Sequence, residues 1–288
     1  MRYEGIVYRP PSEARSLIIQ LTIGCARNTC TFCTMYKQKN FRIRKLEDVV
    51  RDLKECRDTY SYVRRIFLAD GDALIVKTPD LLYILSEIRR LFPECERVTS
   101  YGAPADVLLK TPEELLQLHK AGLDMVYIGA ESGDNEVLKN IRKGVTAEET
   151  VEACLKLKKA GIKVSMMLIS GMGSRVRSKE HALASAKITS LIKPEYVSFL
   201  TLRVYPGTPL YDQVKSGKFQ RMSPMELLDE LKLFLKNVDS EGSVFRSNHA
   251  SNYVDLGGDL NRDIPKMLAQ IEEAEADHDF KPDFMRGL

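Results

Sequence analysis

At 288 residues with 44% hydrophobic side chains, the chain can bury one large core, and its composition demands no second one. Lysine plus arginine (43) nearly balances aspartate plus glutamate (40), so a net charge of +3 gives nucleic-acid binding no strong electrostatic support without excluding it. Met1 to Pro11 contains Arg2, Glu4 and Arg9 and no long apolar run, which argues against a signal peptide or membrane span there and for a cytoplasmic, reducing setting in which cysteines stay thiols or metal ligands.

The first apolar run, Leu17 to Thr22, leads into Gly24-Cys25-Ala26-Arg27-Asn28-Thr29-Cys30-Thr31-Phe32-Cys33, which gathers three of the six cysteines. A structural zinc site takes four ligands, and His119, His181, His249 and His278 all lie far along the chain. An electron-transfer iron-sulfur cluster also takes four cysteines, and no fourth is near. Three thiolates on a 4Fe-4S cluster leave one iron with open positions for a substrate or cofactor; a plainer metal or redox site is the competing reading. Cys56 and Cys154 fall at helical spacing from Leu53 and Val151 and read as core residues, and Cys95 has no evident role.

Helical periodicity over Lys45 to Tyr60 precedes the run Val63 to Ala69 and then Asp70-Gly71-Asp72-Ala73. Here a glycine permits close backbone approach and an acid can accept from an ammonium group, although the same residues also make a turn. A helix over Thr78 to Phe92 is followed by Arg97 to Tyr101, whose end carries Ser100. Thr111-Pro112-Glu113-Glu114 opens a helix to Ala121. Leu123 to Gly129 continues into Ala130-Glu131-Ser132-Gly133, where Glu131 suits a pair of ribose hydroxyls or, with Ser132, a helix cap. Lys143 lies just before Thr146-Ala147-Glu148-Glu149, the start of a helix to Ala160. Ile162 to Ser170 ends in Gly171-Met172-Gly173, and a helix spans Ser178 to Ile192. Tyr196 to Val204 carries Arg203 and reaches the rigid turn Pro206-Gly207-Thr208-Pro209. Ser223 to Val238 and Ile264 to Ala276 read as helices around a polar and aromatic stretch, Phe245 to Tyr253.

Apolar runs alternating with helices argue for a parallel sheet, and six such units for an incomplete barrel. The expected fold is α/β, a partial (β/α)6 TIM-type barrel over residues 1–215 with a C-terminal helical extension over 216–288. Chemistry in such barrels sits on loops at the carboxyl ends of strands.

Cys25-x4-Cys30-x2-Cys33, with Phe32 before the last cysteine, resembles the cluster motif of the radical S-adenosylmethionine superfamily, one residue longer in its first gap than the common spacing. Gly71 and Asp72 match the last two positions of that family's Gly-Gly-Glu motif, with Asp70 in place of the first glycine. The Pro206 to Pro209 turn resembles the oxygen-independent coproporphyrinogen dehydrogenase and Elongator-type branch, and the likeness covers residues 17 to 210. It implies a 4Fe-4S cluster on Cys25, Cys30 and Cys33 and S-adenosylmethionine as the second cofactor. Phe32 and Met172 would then lie near adenine, Gly71 and Asp72 at the methionine amine, Glu131 at the ribose, Lys143 in place of an arginine at the cofactor carboxylate, or Arg142 if the loop is shifted, and Ser100 and Arg203 at the same rim. The implied reaction is reductive cleavage of the cofactor to a 5′-deoxyadenosyl radical that attacks a small-molecule substrate, fed by a reductant such as flavodoxin or ferredoxin, with no membrane partner. An RNA-modifying enzyme and a noncatalytic iron-sulfur protein are the alternatives. Asn248 to Tyr253 is expected to fold over the barrel's open side, with His249 and Tyr253 toward substrate, or else to link two helices.

Overall fold

The computed structural model describes residues 3–286; Met1, Arg2, Gly287 and Leu288, the outer ends of the two expected regions, lie outside them. The chain divides into two compact units: Met1–Asn28, Met35–Ile128 and Glu152–Val164 form the first, and Thr29–Thr34, Gly129–Val151 and Ser165–Leu288 the second.

The first unit holds β1 (Leu17–Gln20), β2 (Thr22–Ile23), β3 (Arg42–Ile43), α1 (Leu46–Thr59), β4 (Arg65–Ala69), α2 (Thr78–Leu91), β5 (Arg97–Gly102), α3 (Pro104–Leu109), α4 (Pro112–Ala121) and most of β6 (Leu123–Glu131). Strands β1, β4, β5 and β6 pair in that order and all in parallel, while β2 and β3 form a separate antiparallel hairpin. Parallel strands are covered on both faces, and Ile66, Phe67, Leu68 and Ala69 of β4 are accordingly at most 1% exposed. Phe67, Tyr101 and Tyr127 pack edge to face, with ring centroids 5.0 to 6.1 Å apart. Glu13, fully buried, is held by Arg97 at 2.8 Å and by the Tyr127 hydroxyl at 2.5 Å.

The second unit carries α5 (Asn135–Asn140), the first turn of α6 (Ala147–Lys159), β7 (Lys163–Ser170) from Ser165 onward, α7 (Ser178–Ile192), β8 (Tyr196–Thr201), α8 (Pro209–Lys215), α9 (Pro224–Asn237), β9 (Val244–Ser247), β10 (Leu256–Asp259) and α10 (Ile264–Asp277). β7, β8 and β9 pair in parallel, and β10 runs antiparallel to β9. Phe199, Phe234 and Phe245 fill its core, with centroids 4.6 to 6.3 Å apart. No helix among the described residues is long and apolar enough to cross a membrane.

Each of the six expected apolar runs holds a strand, and the architecture is α/β with a mostly parallel sheet. The expected helix starts also form. Thr111 and Glu114 make reciprocal bonds at the start of α4, and Thr146 and Glu149 do the same ahead of α6. The C-terminal region departs from the all-helical expectation, because β9 and β10 follow α9. Phe245 and Ser247 of β9 point inward and Arg246 outward, an alternation too short to stand out beside its polar neighbours. Gly257 and Gly258 give β10 almost no strand propensity of its own. Pairing with β8 supplies the order that local preference lacks.

Phe245 is fully buried between Phe199 and Phe234. Phe245→Ala should therefore destabilise the protein by about 3 to 5 kcal/mol, read by denaturant unfolding. A loss no larger than that of an exposed substitution would show that β9 is not part of the folded core.

Candidate functional site

In the first unit the cysteine loop is the long connection of the β2–β3 hairpin, whose last pair is Ile23 with Arg42. Gly24 turns into the loop at φ +81°, a conformation that favours glycine, and a β-carbon there would lie 3.2 Å from Cβ of Lys39. Cys25 is half-buried against Gly71: a β-carbon on Gly71 would fall 3.1 Å from Cβ of Cys25 and 2.7 Å from the Tyr36 ring. The backbone N–H of Gly71 donates to the Gly24 carbonyl at 3.1 Å. Only a residue without a side chain lets the end of β4 approach the first cysteine this closely.

The acids on either side of Gly71 face different surroundings. Asp70 is fully buried and accepts from Gln20 Nε2 at 3.1 Å, the Gly24 N–H at 2.9 Å and Lys39 Nζ at 2.8 Å. Asp72 is 1% exposed, and its carboxyl meets the Ala103 N–H at 3.4 Å, the Ile75 backbone and the Asp106 side chain. Burial above all, and then the Asp106 carboxyl, hold Asp72 well above the usual carboxylate range. Ser100 is fully buried on β5, its hydroxyl without a hydrogen-bond partner among the described residues.

The second unit holds Cys30, Phe32 and Cys33, all half-buried. Their segment is pinned from both sides at Thr31, whose N–H donates to the Ile141 carbonyl at 3.0 Å and whose carbonyl accepts from the Leu210 N–H at 3.1 Å. Leu210 belongs to the first turn of α8, capped by Thr208, so the Pro206 to Pro209 turn presents to the cysteine segment a helix N–H that has no intrahelical partner. Glu131, at φ +64°, pairs with Lys143 Nζ at 2.8 Å, and both side chains are about one-seventh exposed, 13% and 14%. Two residues given separate roles by sequence thus meet as an ion pair, and Gly129 leaves the room for them. The residue after Glu131, Ser132, accepts from the Asp134 N–H and shares a hydrogen bond with His181 Nδ1 at 2.7 Å, while Glu230 accepts from the Gly171 N–H at 2.7 Å and from Ser178 at 2.7 Å. Met172 is 2% exposed beside Gly171.

Arg203 donates to the Arg286 carbonyl and lies 5.8 Å from the Tyr205 ring. The stretch from Asn248 to Tyr253 is tied to the end of β8: the Thr201 N–H donates to Ser251 at 3.1 Å, the Thr201 hydroxyl to Asn252 at 3.0 Å, and Asn252 Nδ2 to the Phe199 carbonyl at 2.8 Å. His249 bonds Ser251 through Nδ1 at 2.8 Å, and burial, with Arg203 and Lys281 nearby, lowers its pKa. Arg286 stacks 3.4 Å from the Tyr253 ring. His181 and Glu230 were given no site role by the sequence, and Asp70 was marked only as standing in place of the family's first glycine; the hint for the first two was that each is a polar residue on an otherwise apolar helix face.

Among the described residues, no three His, Cys, Asp or Glu side chains are gathered as for a single metal ion. The donor chemistry nonetheless fits an iron-sulfur cluster, since Cys25, Cys30 and Cys33 supply soft, part-exposed thiols. Gly71, bare beside Cys25, keeps a side chain out of that space.

Because the folded state raises the Asp72 pKa, its contribution to stability is present at acid pH and is lost as pH rises through that value. Asp72→Asn keeps a hydrogen-bonding group facing Asp106 but removes the titration. Its Tm relative to wild type should rise between acid and alkaline pH, by about 2 to 4 °C for each kcal/mol relieved. A difference that is flat or falls with pH would place an ionised carboxylate at residue 72.

Residues 19–182 match the Radical SAM superfamily, a span that takes in the three cysteines, Phe32, Gly71, Asp72, Ser100, Glu131, Lys143 and Met172 but not Arg203, His249 or Tyr253. A tRNA uridine(34) acetyltransferase of Methanocaldococcus infernus is 31% identical over 118 residues, 41% of this chain and 22% of that protein. Among solved structures, coproporphyrinogen III oxidase (HemN) from Escherichia coli superposes with a TM-score of 0.56 at 16% identity, over 77% of this chain and 54% of its own. The radical S-adenosylmethionine methyltransferase TsrM from Kitasatospora setae gives 0.57 at 20%, over 70% and 39%. The chain thus spans less than two thirds of each, and the two superpositions speak for the fold, a partial TIM-type barrel. A family match over more than half of its length makes this chain a member of the radical SAM superfamily, enzymes whose cofactors are a 4Fe-4S cluster and S-adenosylmethionine.

Proposed function

We propose that Cys25, Cys30 and Cys33 hold the cluster and that the enzyme acts on a small-molecule substrate by hydrogen abstraction. Together the cluster and S-adenosylmethionine supply reductive cleavage of a carbon-sulfur bond and a 5′-deoxyadenosyl radical. The observation that carries the assignment is the bare Gly71 set directly against Cys25, at the carboxyl end of β4. Gly71 offers backbone groups to the methionine end of the cofactor. Glu131 accepts from ribose hydroxyls, and Lys143, already its partner at 2.8 Å, lends positive charge to the cofactor carboxylate. Phe32 and Met172 give adenine apolar contact, and Arg203 and His249, with Tyr253, border the substrate. Electrons come from a small reductant protein of the flavodoxin or ferredoxin type.

A tRNA substrate is the second reading, favoured by the 31% identity to a tRNA-modifying enzyme. Near-balanced charge weighs against it, because phosphate recognition rests on a concentration of lysine and arginine.

Anaerobic reconstitution with iron and sulfide should load about four irons per chain, as one cubane requires. Cys25→Ala, Cys30→Ala and Cys33→Ala should each abolish loading, whereas Cys56→Ala and Cys154→Ala should not. Glu131→Ala and Lys143→Ala should keep their iron and bind S-adenosylmethionine about ten- to a hundredfold more weakly, the loss of a charge-assisted contact of roughly 1.5 to 3 kcal/mol. Asp72→Asn belongs in the same series: weaker cofactor binding assigns it to the amine, and unchanged binding assigns it to the Asp106 pair alone. Release of 5′-deoxyadenosine with dithionite, measured with and without bulk tRNA, separates the two substrate readings. Iron retained when all three cysteines are replaced would overturn the assignment.

A further inference from the structure

The carboxylate of Asp70 is fully out of water, and its partners converge from the neck of the cysteine loop. Gly24, the first residue of the loop, donates its N–H at 2.9 Å; Lys39, near the other end, donates Nζ at 2.8 Å; and Gln20, on the strand leading in, donates Nε2 at 3.1 Å. Backbone packing repeats the closure, since Gly24 lies against the Cβ and carbonyl of Lys39 and directly follows Ile23, which pairs with Arg42 in the β2–β3 hairpin. Lys39 is itself 11% exposed and spends a second hydrogen bond, 2.7 Å, on the Ile6 carbonyl. Its ammonium also lies 5.5 Å from the Tyr36 ring, the ring that walls Gly71.

We infer that Asp70 and Lys39 form a buried electrostatic latch that closes the neck of the cysteine loop and holds Cys25 in its cluster-binding position before any cluster arrives. The inference rests on the assignment of Cys25 as a cluster ligand. Taking Lys39 away from Asp70 leaves a carboxylate in a site with no water and only neutral donors, a far more costly state than either the paired one or a neutral isostere. Opening the loop at its neck and baring that charge are therefore one event. Asp70 touches no cofactor in this account; it positions the strand that carries the ligand. The acid in place of the family's first glycine faces the loop rather than the cofactor, which is how the chain accommodates a side chain there.

The test uses the full-length protein in both apo and reconstituted forms, with Asp70→Asn, Lys39→Met and Lys39→Arg. Trypsin applied to the apo protein reports the loop through cleavage after Arg27 and Lys37, both exposed and both inside it. Cleavage at those two sites should be about tenfold faster or more in Asp70→Asn and Lys39→Met, the scale of one lost buried partner, and near wild type in Lys39→Arg. In the reconstituted protein, iron transfer to ferrozine should accelerate to a similar extent in the same two variants. Equal cleavage and equal iron release in all forms would overturn the latch. So would cleavage rising in step across the whole chain, because the pair would then be holding the fold rather than the loop. Wild-type protein that takes up no iron would refute the cluster assignment, while the apo cleavage rates would still judge the latch.

Discussion

A negative charge with no access to water governs the layout of the first unit. Asp70 has to find its compensation within the protein, and the nearest cation, Lys39, is supplied by the cysteine loop itself. That requirement fixes where the loop leaves β2 and where it returns to β3, and it brings Gly24 and Gly71 close enough to share a backbone hydrogen bond of 3.1 Å. The position of Cys25 is a consequence, since it follows Gly24 directly.

The second unit solves a similar problem without a buried charge pair at the loop. Thr31 sits between Cys30 and Cys33 in the motif and is held through its backbone alone, by Ile141 on one side and Leu210 on the other. Both partners are helix termini, where backbone groups are left without intrahelical bonds and serve as ready hooks. Buried polar groups then tie the ends of β6 and β7 into the surrounding helices: Ser132 to His181 of α7, and Gly171 to Glu230 of α9. His181 Nε2 lies 3.8 Å from Glu230, too far for a hydrogen bond. The residues assigned to the cofactor thus stand on loops whose backbones are bonded down, which suits a reaction that depends on positioning.

Asp70 and Asp72 show why residue type alone does not assign a role. They flank one glycine just beyond the end of β4, yet one is paired with an ammonium and the other with a second carboxyl. The first accepts from Lys39, the Gly24 N–H and Gln20. The second is pushed toward its neutral form by burial and by Asp106, so its capacity to receive a cofactor amine depends on that balance.

The six principal strands were legible because parallel strands buried on both faces read as continuous apolar runs, and Leu17 to Thr22 or Ile162 to Ser170 have no other stable use. Helix starts at Thr111 and Thr146 were legible because a capping box is a contact between residues three apart. The cysteine triplet was legible for the same reason: its spacing is local. Strands β3, β9 and β10 were not, since two or four residues with Arg or Gly among them acquire strand geometry only from a partner strand. Nor were the links from Asp70 to Lys39 and from Ser132 to His181, which join residues 31 and 49 positions apart. Pattern along a chain encodes what neighbours in sequence do to one another; which buried charge meets which counter-charge is decided only when folding removes the water between them.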